Sequence, residues 1–163
     1  MKKRNIAFMG IFLALALVLG YVETFIPLPQ GIPGMKLGLT NLIIVIILYC
    51  EGTKEAYIIS ATRVILSGFL FGNVQIIIFS LGGAMLSLTA MALLKRTNTL
   101  NVITISAVGG VMHNIGQIVV AMITVQTFSI KYYIPVLVVV GLITGLIIGA
   151  VANELIKRLH RFF

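Results

Sequence analysis

The sequence has no aspartate, no tryptophan and a single cysteine, and only 10% of its 163 residues are charged. Without aspartate, the chain cannot form the acidic pairs that hold Mg²⁺ on a diphosphate substrate, so we expect no metal site and no catalysis of that kind. A lone cysteine, Cys50, excludes an internal disulfide framework. The sequence also lacks a GxxxxGK[ST] phosphate-binding loop, so we predict no ATP hydrolysis and no cofactor.

Apolar residues dominate what is present. Hydrophobic residues make up 60% of the chain and the mean hydropathy is +1.14, whereas soluble domains are roughly 45–50% apolar and about 25% charged. A hydrocarbon layer about 30 Å thick is crossed by about 20 helical residues. The composition therefore predicts an all-α integral membrane protein: a bundle of about six transmembrane helices that forms a single transmembrane domain over residues 1–163.

Polar turns and Pro/Gly-rich turns separate the apolar stretches. The turn after the first span contains Pro27, Pro29 and Pro33, and the second span is short. Such a turn beside a short span is expected to reach partly back into the protein on the outer side. The predicted spans are 6–26, 37–50, 55–71, 74–94, 102–125 and 133–156.

Basic residues are distributed unevenly between the two sides of these spans. Lys and Arg accumulate in cytoplasmic segments of membrane proteins, and an N-terminus inside the cell gives nine inner basic residues against two outer ones. We therefore predict cytoplasmic termini in the cell membrane, with the net charge of +8 attracting anionic lipid rather than nucleic acid. The inner set is Lys2, Lys3, Arg4, Lys54, Lys95, Arg96, Lys157, Arg158 and Arg161; the outer set is Lys36 and Lys131.

One arginine lies inside a predicted span. Arg63 is near the middle of the third span, where a charge costs about 2.5–3.5 kcal/mol on insertion scales and must face protein or water. Ser60 and Ser67 lie three residues before and four after it, on the same helix face. The residue is either an anion-binding or gating group, or an arginine that braces helix ends or extends to the interface.

The fifth span carries the densest group of polar residues, in the string GGVMHNIGQ at Gly109–Gln117. Asn114 and Gln117 share one helix face with Gly110, and His113 lies on the adjoining face. Such side chains either bind a ligand or hydrogen-bond neighbouring helices. Because successive spans run in opposite directions, Arg63 should lie at a similar depth, and we expect all four polar side chains to line one cavity.

Three further residues are candidates near the outer end of the first two spans. Glu23 is the acidic residue of the first span, and it either pairs with Arg63 or Lys36, coordinates a cation, or lies among the headgroups. Lys36 and Asn41 belong to the segment PGMKLGLTN. Its proline, glycine and lysine residues together indicate a shaped loop that covers a cavity. We include Glu23, Lys36 and Asn41 with the substrate-binding candidates.

Small residues recur at a spacing of four in the first and last spans. The last span has Gly141, Gly145 and Gly149, which predict a flat ridge for close helix contact. The two ridges either pack the first and last helices against each other, or one of them binds a partner. The first-span ridge consists of Gly10, Ala14, Ala16 and Gly20.

These motifs resemble the family called heptaprenyl diphosphate synthase component I, also known as the Gx transporter family. The resemblance extends over nearly the whole chain, and PGMKLGL and HNIGQ are its specific parts. The matching segments are Glu23–Pro29 (ETFIPLP), Pro33–Asn41 (PGMKLGLTN), Arg63, Gly82–Ser87 (GGAMLS), Gly109–Gln117 (GGVMHNIGQ) and Gly145–Gly149.

In size and helix number this family is similar to the substrate-binding S components of energy-coupling factor transporters. That resemblance implies a subunit that binds a small, anionic or amphipathic molecule and docks, through the first-span ridge, on a transmembrane coupling protein with two ATPases. The family name implies instead an accessory role in prenyl diphosphate synthesis. We expect the transporter subunit, with the non-enzymatic synthase accessory as the alternative.

Overall fold

The computed structural model describes residues 3–26 and 38–159 of the chain. The described residues form six α-helices and one short 3-10 segment, Phe128–Tyr133, and contain no strand. The all-α prediction is confirmed, and the helix bounds differ from the predicted spans by three residues or fewer. The helices are α1 Lys3–Thr24, α2 Leu39–Cys50, α3 Thr53–Phe71, α4 Val74–Arg96, α5 Val102–Val125 and α6 Ile134–Leu159.

Four of the helices are long and apolar enough to cross a membrane: α1, α4, α5 and α6. Their outward faces carry large exposed apolar side chains, as expected where lipid replaces water as the solvent. The described residues contain all six predicted helices, and the second is short, as predicted. At 12 residues, α2 is about 18 Å long and cannot cross a hydrocarbon layer of about 30 Å alone.

The short helix α2 lies at the centre of the bundle. It contacts α1, α3 and α6, and its residues from Ile43 to Leu48 are all buried. A helix that is apolar on every side can be stable only when other helices surround it. At its C-terminal end, the Nζ of Lys95 donates a hydrogen bond to the Leu48 carbonyl oxygen at 2.5 Å, which satisfies one of the carbonyls left free at a helix end.

Glycines bring α4, α5 and α6 into backbone contact. A Cβ on Gly145 would lie 2.7 Å from the Ser106 carbonyl oxygen, and one on Gly149 would lie 2.8 Å from the Ile103 Cα. On the other side of α5, a Cβ on Gly116 would lie 2.9 Å from the Gly83 Cα. The ridge of the last helix therefore packs against α5. Of the two alternatives given for the ridges, packing of the last-helix ridge against the first helix is not what the structure shows, because the backbone approach that glycine permits is made with α5.

Candidate functional site

A polar cavity lies where all six helices converge. Its wall includes the end of α1 and the start of α2, and it extends to the middle of α3, α5 and α6. The lining residues are Glu23, Gly38, Thr40, Asn41, Val45, Arg63, Ser80, Ser87, Met91, Ser106, Gly109, Gly110, His113, Asn114, Thr144, Gly145 and Ile148. Most of these side chains are polar, although the surrounding helices are strongly apolar.

The cavity is small. Its volume, counted as the space open to the centres of water molecules, is about 30 Å³. One water requires roughly 10–15 Å³ on this measure, so the cavity in this structure holds about two waters. A compact ligand group fits it, whereas a larger molecule requires the helices around it to separate.

Arg63 supplies the positive charge of the cavity. The residue is 8% exposed, and its Nη1 donates a hydrogen bond to the Thr40 hydroxyl at 2.5 Å across the α2–α3 contact. Its Nε is buried and has no hydrogen-bond partner. A guanidinium has five N–H donors, and buried donors without an acceptor are costly. The Arg63 Nε is therefore available to donate a hydrogen bond to a ligand.

Glu23 supplies a negative charge at the same cavity. It is 8% exposed, and its Oε1 accepts a hydrogen bond from the backbone N–H of Gly38 at 2.5 Å. That bond holds the end of α1 next to the start of α2, where Gly38 adopts φ 74°, a left-handed conformation that glycine tolerates. Glu23 lies close enough to Arg63 for the two charges to attract each other. However, no nitrogen of the Arg63 guanidinium lies within 4 Å of a Glu23 carboxylate oxygen.

Helix α5 contributes His113 and Asn114 from its middle. The Asn114 Nδ2 donates a hydrogen bond to the Leu137 carbonyl oxygen of α6 at 2.7 Å. Asn114 therefore joins two helices and lines the cavity at the same time. His113 is half-buried and lines the cavity from the adjoining face.

One sequence-based site candidate among the described residues, Gln117, does not line the cavity. Gln117 is 4% exposed but lies between α4 and α5, where a Cβ on Gly83 would come within 2.6 Å of its Cγ. Gln117 lies one helical turn after His113 on α5. At that position it packs against the α4 backbone and does not line the cavity. Lys36 lies outside the described residues. The cavity does include Arg63, His113, Asn114, Glu23 and Asn41.

Five hydroxyl residues of the wall were not among our candidates. The Thr40 hydroxyl accepts the hydrogen bond from Arg63. The Ser87 hydroxyl donates to the Gly109 carbonyl oxygen at 2.7 Å. A serine or threonine can bond its own helix backbone, as Thr144 does with Val140, so its sequence position alone gives a weak signal. The five are Thr40, Ser80, Ser87, Ser106 and Thr144.

The small residues of α1 do not form one ridge. Gly10 and Ala14 lie on the exposed face, and a Cβ on Gly10 would meet nothing within 4 Å. Ala16 is fully buried, and a Cβ on Gly20 would lie 3.2 Å from the Thr40 Cγ2. Residues two apart on a helix point to nearly opposite sides. The predicted docking set is therefore split between an outward pair and an inward pair.

Among residues 3–26 and 38–159, no group of three His, Cys, Asp or Glu side chains is placed to hold a metal ion. The polar side chains at the cavity are one guanidinium, one carboxylate, one imidazole, amides and hydroxyls. This set can bind charged and polar groups of a ligand by ion pairing and hydrogen bonding.

These features define a membrane-type helical bundle with a charged internal cavity. The chain belongs to the family described as heptaprenyl diphosphate synthase component I, which it matches over residues 12–155. The family resemblance inferred from the motifs is thus confirmed. Neither the curated proteins nor the solved structures gave a match to the chain.

Proposed function

We propose that this protein is a membrane-embedded, non-enzymatic binding subunit that holds the anionic group of a small or amphipathic molecule in its internal cavity. The observation that carries the proposal is Arg63, which is buried, faces the cavity and has an Nε without a partner. A buried charge is expensive unless it is paired. An anionic group from a ligand provides the missing acceptor and the compensating charge.

The charges of the cavity favour a ligand group with a single negative charge. Among the described residues, one arginine faces the cavity together with one glutamate of opposite sign, and a diphosphate would bring several negative charges against that guanidinium. A carboxylate matches both the bidentate geometry of a guanidinium and the small volume. The ligand group held here is therefore a carboxylate-like anion rather than a diphosphate.

The family supports one physiological setting for such a subunit, an accessory membrane component of prenyl diphosphate synthesis. In that setting the catalytic chemistry belongs to a soluble partner chain rich in aspartate, because this chain has no aspartate of its own. The test is copurification from membranes of cells that make both chains. Recovery of a soluble aspartate-rich synthase with the tagged protein is expected, and its absence under mild detergent would contradict this setting.

A transporter subunit is the second candidate. The supporting observation is the outward face of α1, where the small residues Gly10 and Ala14 are exposed and leave space for another helix. The same purification distinguishes the two settings. Recovery of a transmembrane coupling protein with two ATPases, in place of a synthase, would favour the transporter.

The anion site itself can be tested without knowing the ligand. Native mass spectrometry of the purified protein should detect a retained small molecule, and Arg63→Gln should lose it because the charge and the planar donor group are removed. Arg158→Gln is the matched control, because Arg158 is exposed and pairs with Glu154. Equal retention by all three proteins would exclude an anion site at Arg63.

We further propose a multi-pass location in the cell membrane with both termini in the cytoplasm. The proposal is supported by four helices that are long and apolar enough to cross a membrane and by the bias of basic residues described above. Reporter fusions should give a cytoplasmic signal at the C-terminus and an external signal when inserted near Lys131. The opposite pattern would invert the topology.

A further inference from the structure

Opposite charges face the same cavity without direct contact. Arg63 and Glu23 are each 8% exposed and both line it, yet they do not approach within 4 Å. Two buried charges of opposite sign normally gain most of their stabilisation by direct contact. A gap between them leaves both only partly compensated.

Each of the two charged groups retains hydrogen-bonding capacity. Arg63 bonds Thr40 through Nη1, while its Nε has no partner. Glu23 bonds Gly38 through Oε1, and no described residue donates to its second oxygen, although a carboxylate offers about four acceptor positions. The cavity therefore presents a donor at one point and an acceptor at another.

We infer that the cavity binds a zwitterion, with the ligand's carboxylate on the guanidinium of Arg63 and its ammonium group on the carboxylate of Glu23. This inference rests on the proposed function and adds the second charge of the ligand. Among the described lining residues, the charges of Arg63 and Glu23 balance each other, and a ligand of zero net charge preserves that balance. A simple anion would instead leave an excess negative charge in a low-dielectric site, which is costly.

Two substitutions separate the roles of the two charges. Glu23→Gln removes the negative charge but keeps a side-chain carbonyl oxygen. That oxygen can accept the hydrogen bond from the Gly38 N–H, so the link between α1 and α2 is retained. Arg63→Gln removes the positive charge and keeps a neutral N–H donor on a shorter side chain. The exposed ion pair of α6 supplies matched controls, Glu154→Gln and Arg158→Gln.

The experiment is equilibrium dialysis of the full chain in detergent with labelled probes. The probes are glycine, β-alanine and 4-aminobutyrate, each compared with the unsubstituted acid of the same chain length: acetate, propionate and butyrate. The series is needed because it varies the separation of the two charges. We expect at least one amino acid to bind about tenfold or more tightly than its matched acid, in keeping with a hydrogen bond between charged groups.

The variants make the outcome decisive. Glu23→Gln should abolish the preference for the amino acid over the acid while leaving binding of the acid, and Arg63→Gln should weaken both. Neither control should change the preference. If acids bind as tightly as amino acids, or if the preference survives in Glu23→Gln, the zwitterion inference is wrong and the anion site stands. If no probe binds the wild-type protein, the inference and the proposed anion site are both overturned.

Discussion

Helices α4 and α6 each meet α5 backbone against backbone. Helices α1, α2 and α3 pack through apolar side chains, and around the cavity they meet through charged and hydroxyl side chains. We call α4–α6 the glycine-packed half and α1–α3 the charged half. In the former, Gly110 of α5 faces the backbone of Gly141 and Gly145. In the latter, single hydrogen bonds connect Arg63 with Thr40 and Glu23 with Gly38.

The difference indicates where the site is fixed and where it can adjust. A backbone contact through glycine has no side chain that can rotate, so any shift of one helix collides with or separates from the next. A hydrogen bond made by a side chain can be exchanged for one to a ligand without leaving a buried group unpaired. We therefore expect the glycine-packed half to hold His113 and Asn114 in place, and the charged half to move when a ligand larger than about two waters enters.

The largest predicted effect compares two glycines. Gly110→Ala should greatly reduce the yield of folded protein, because its Cβ would overlap the Gly141 carbonyl oxygen, a backbone atom that cannot turn aside. Overpacking of this kind typically costs about 1–3 kcal/mol or more. Gly10→Ala is the matched control, because a Cβ there meets nothing within 4 Å and alanine favours a helix.

Thermal unfolding in detergent, followed by size-exclusion chromatography, measures both variants. Unfolding of Gly110→Ala at the wild-type temperature would contradict the conclusion that backbone contact through glycine fixes α4–α6. So would a Gly10→Ala variant as unstable as Gly110→Ala.

The second prediction concerns the polar contact within the glycine-packed half. Asn114→Ala removes the hydrogen bond to the Leu137 carbonyl oxygen and should destabilise the protein by about 0.6 kcal/mol, the average for hydrogen bonds between membrane helices, and by at most about 1.7 kcal/mol. The measurement is the midpoint of unfolding in a denaturing detergent. An unchanged midpoint would show that Asn114 does not join α5 to α6 in the folded protein.

The third prediction concerns the corresponding contact in the charged half. Thr40→Val keeps the side-chain shape but removes the acceptor of the Arg63 Nη1. We expect a loss of about three- to tenfold in affinity for the best-binding probe, corresponding to one hydrogen bond. A larger effect on unfolding than on binding would assign Thr40 to packing rather than to positioning Arg63.

The smallest predicted effect on the bundle itself is at the outward face of α1. Ala14→Leu should leave folding and ligand affinity unchanged, because Ala14 is exposed, whereas Ala16→Leu should destabilise, because Ala16 is fully buried. If the outward face docks an energising partner, Ala14→Leu will also reduce uptake in cells. Full uptake with normal expression would leave that face as ordinary lipid-facing surface.

Several features were predictable because each depends on one segment. The apolar stretches and polar breaks defined six helices to within three residues. A polar group inside an apolar span must face protein or water, and this rule placed Arg63, His113 and Asn114 at the cavity. The same rule could not predict where Gln117 lies, because the rule requires only that a polar side chain avoid lipid. A position against Gly83 of α4 meets that requirement as well as a position at the cavity does.

The sequence by itself determined a helical membrane-type bundle, its family and the polar residues that lipid excludes, because hydrophobicity and helical periodicity are local properties of the chain. The tertiary structure alone decided that the last-helix ridge packs against α5, that the α1 small residues face two ways, and that Glu23 and Arg63 share one cavity without touching. These outcomes depend on how helices distant in sequence fit together. Backbone contact and the distance between two charges are properties of that arrangement, and no spacing along the chain encodes them.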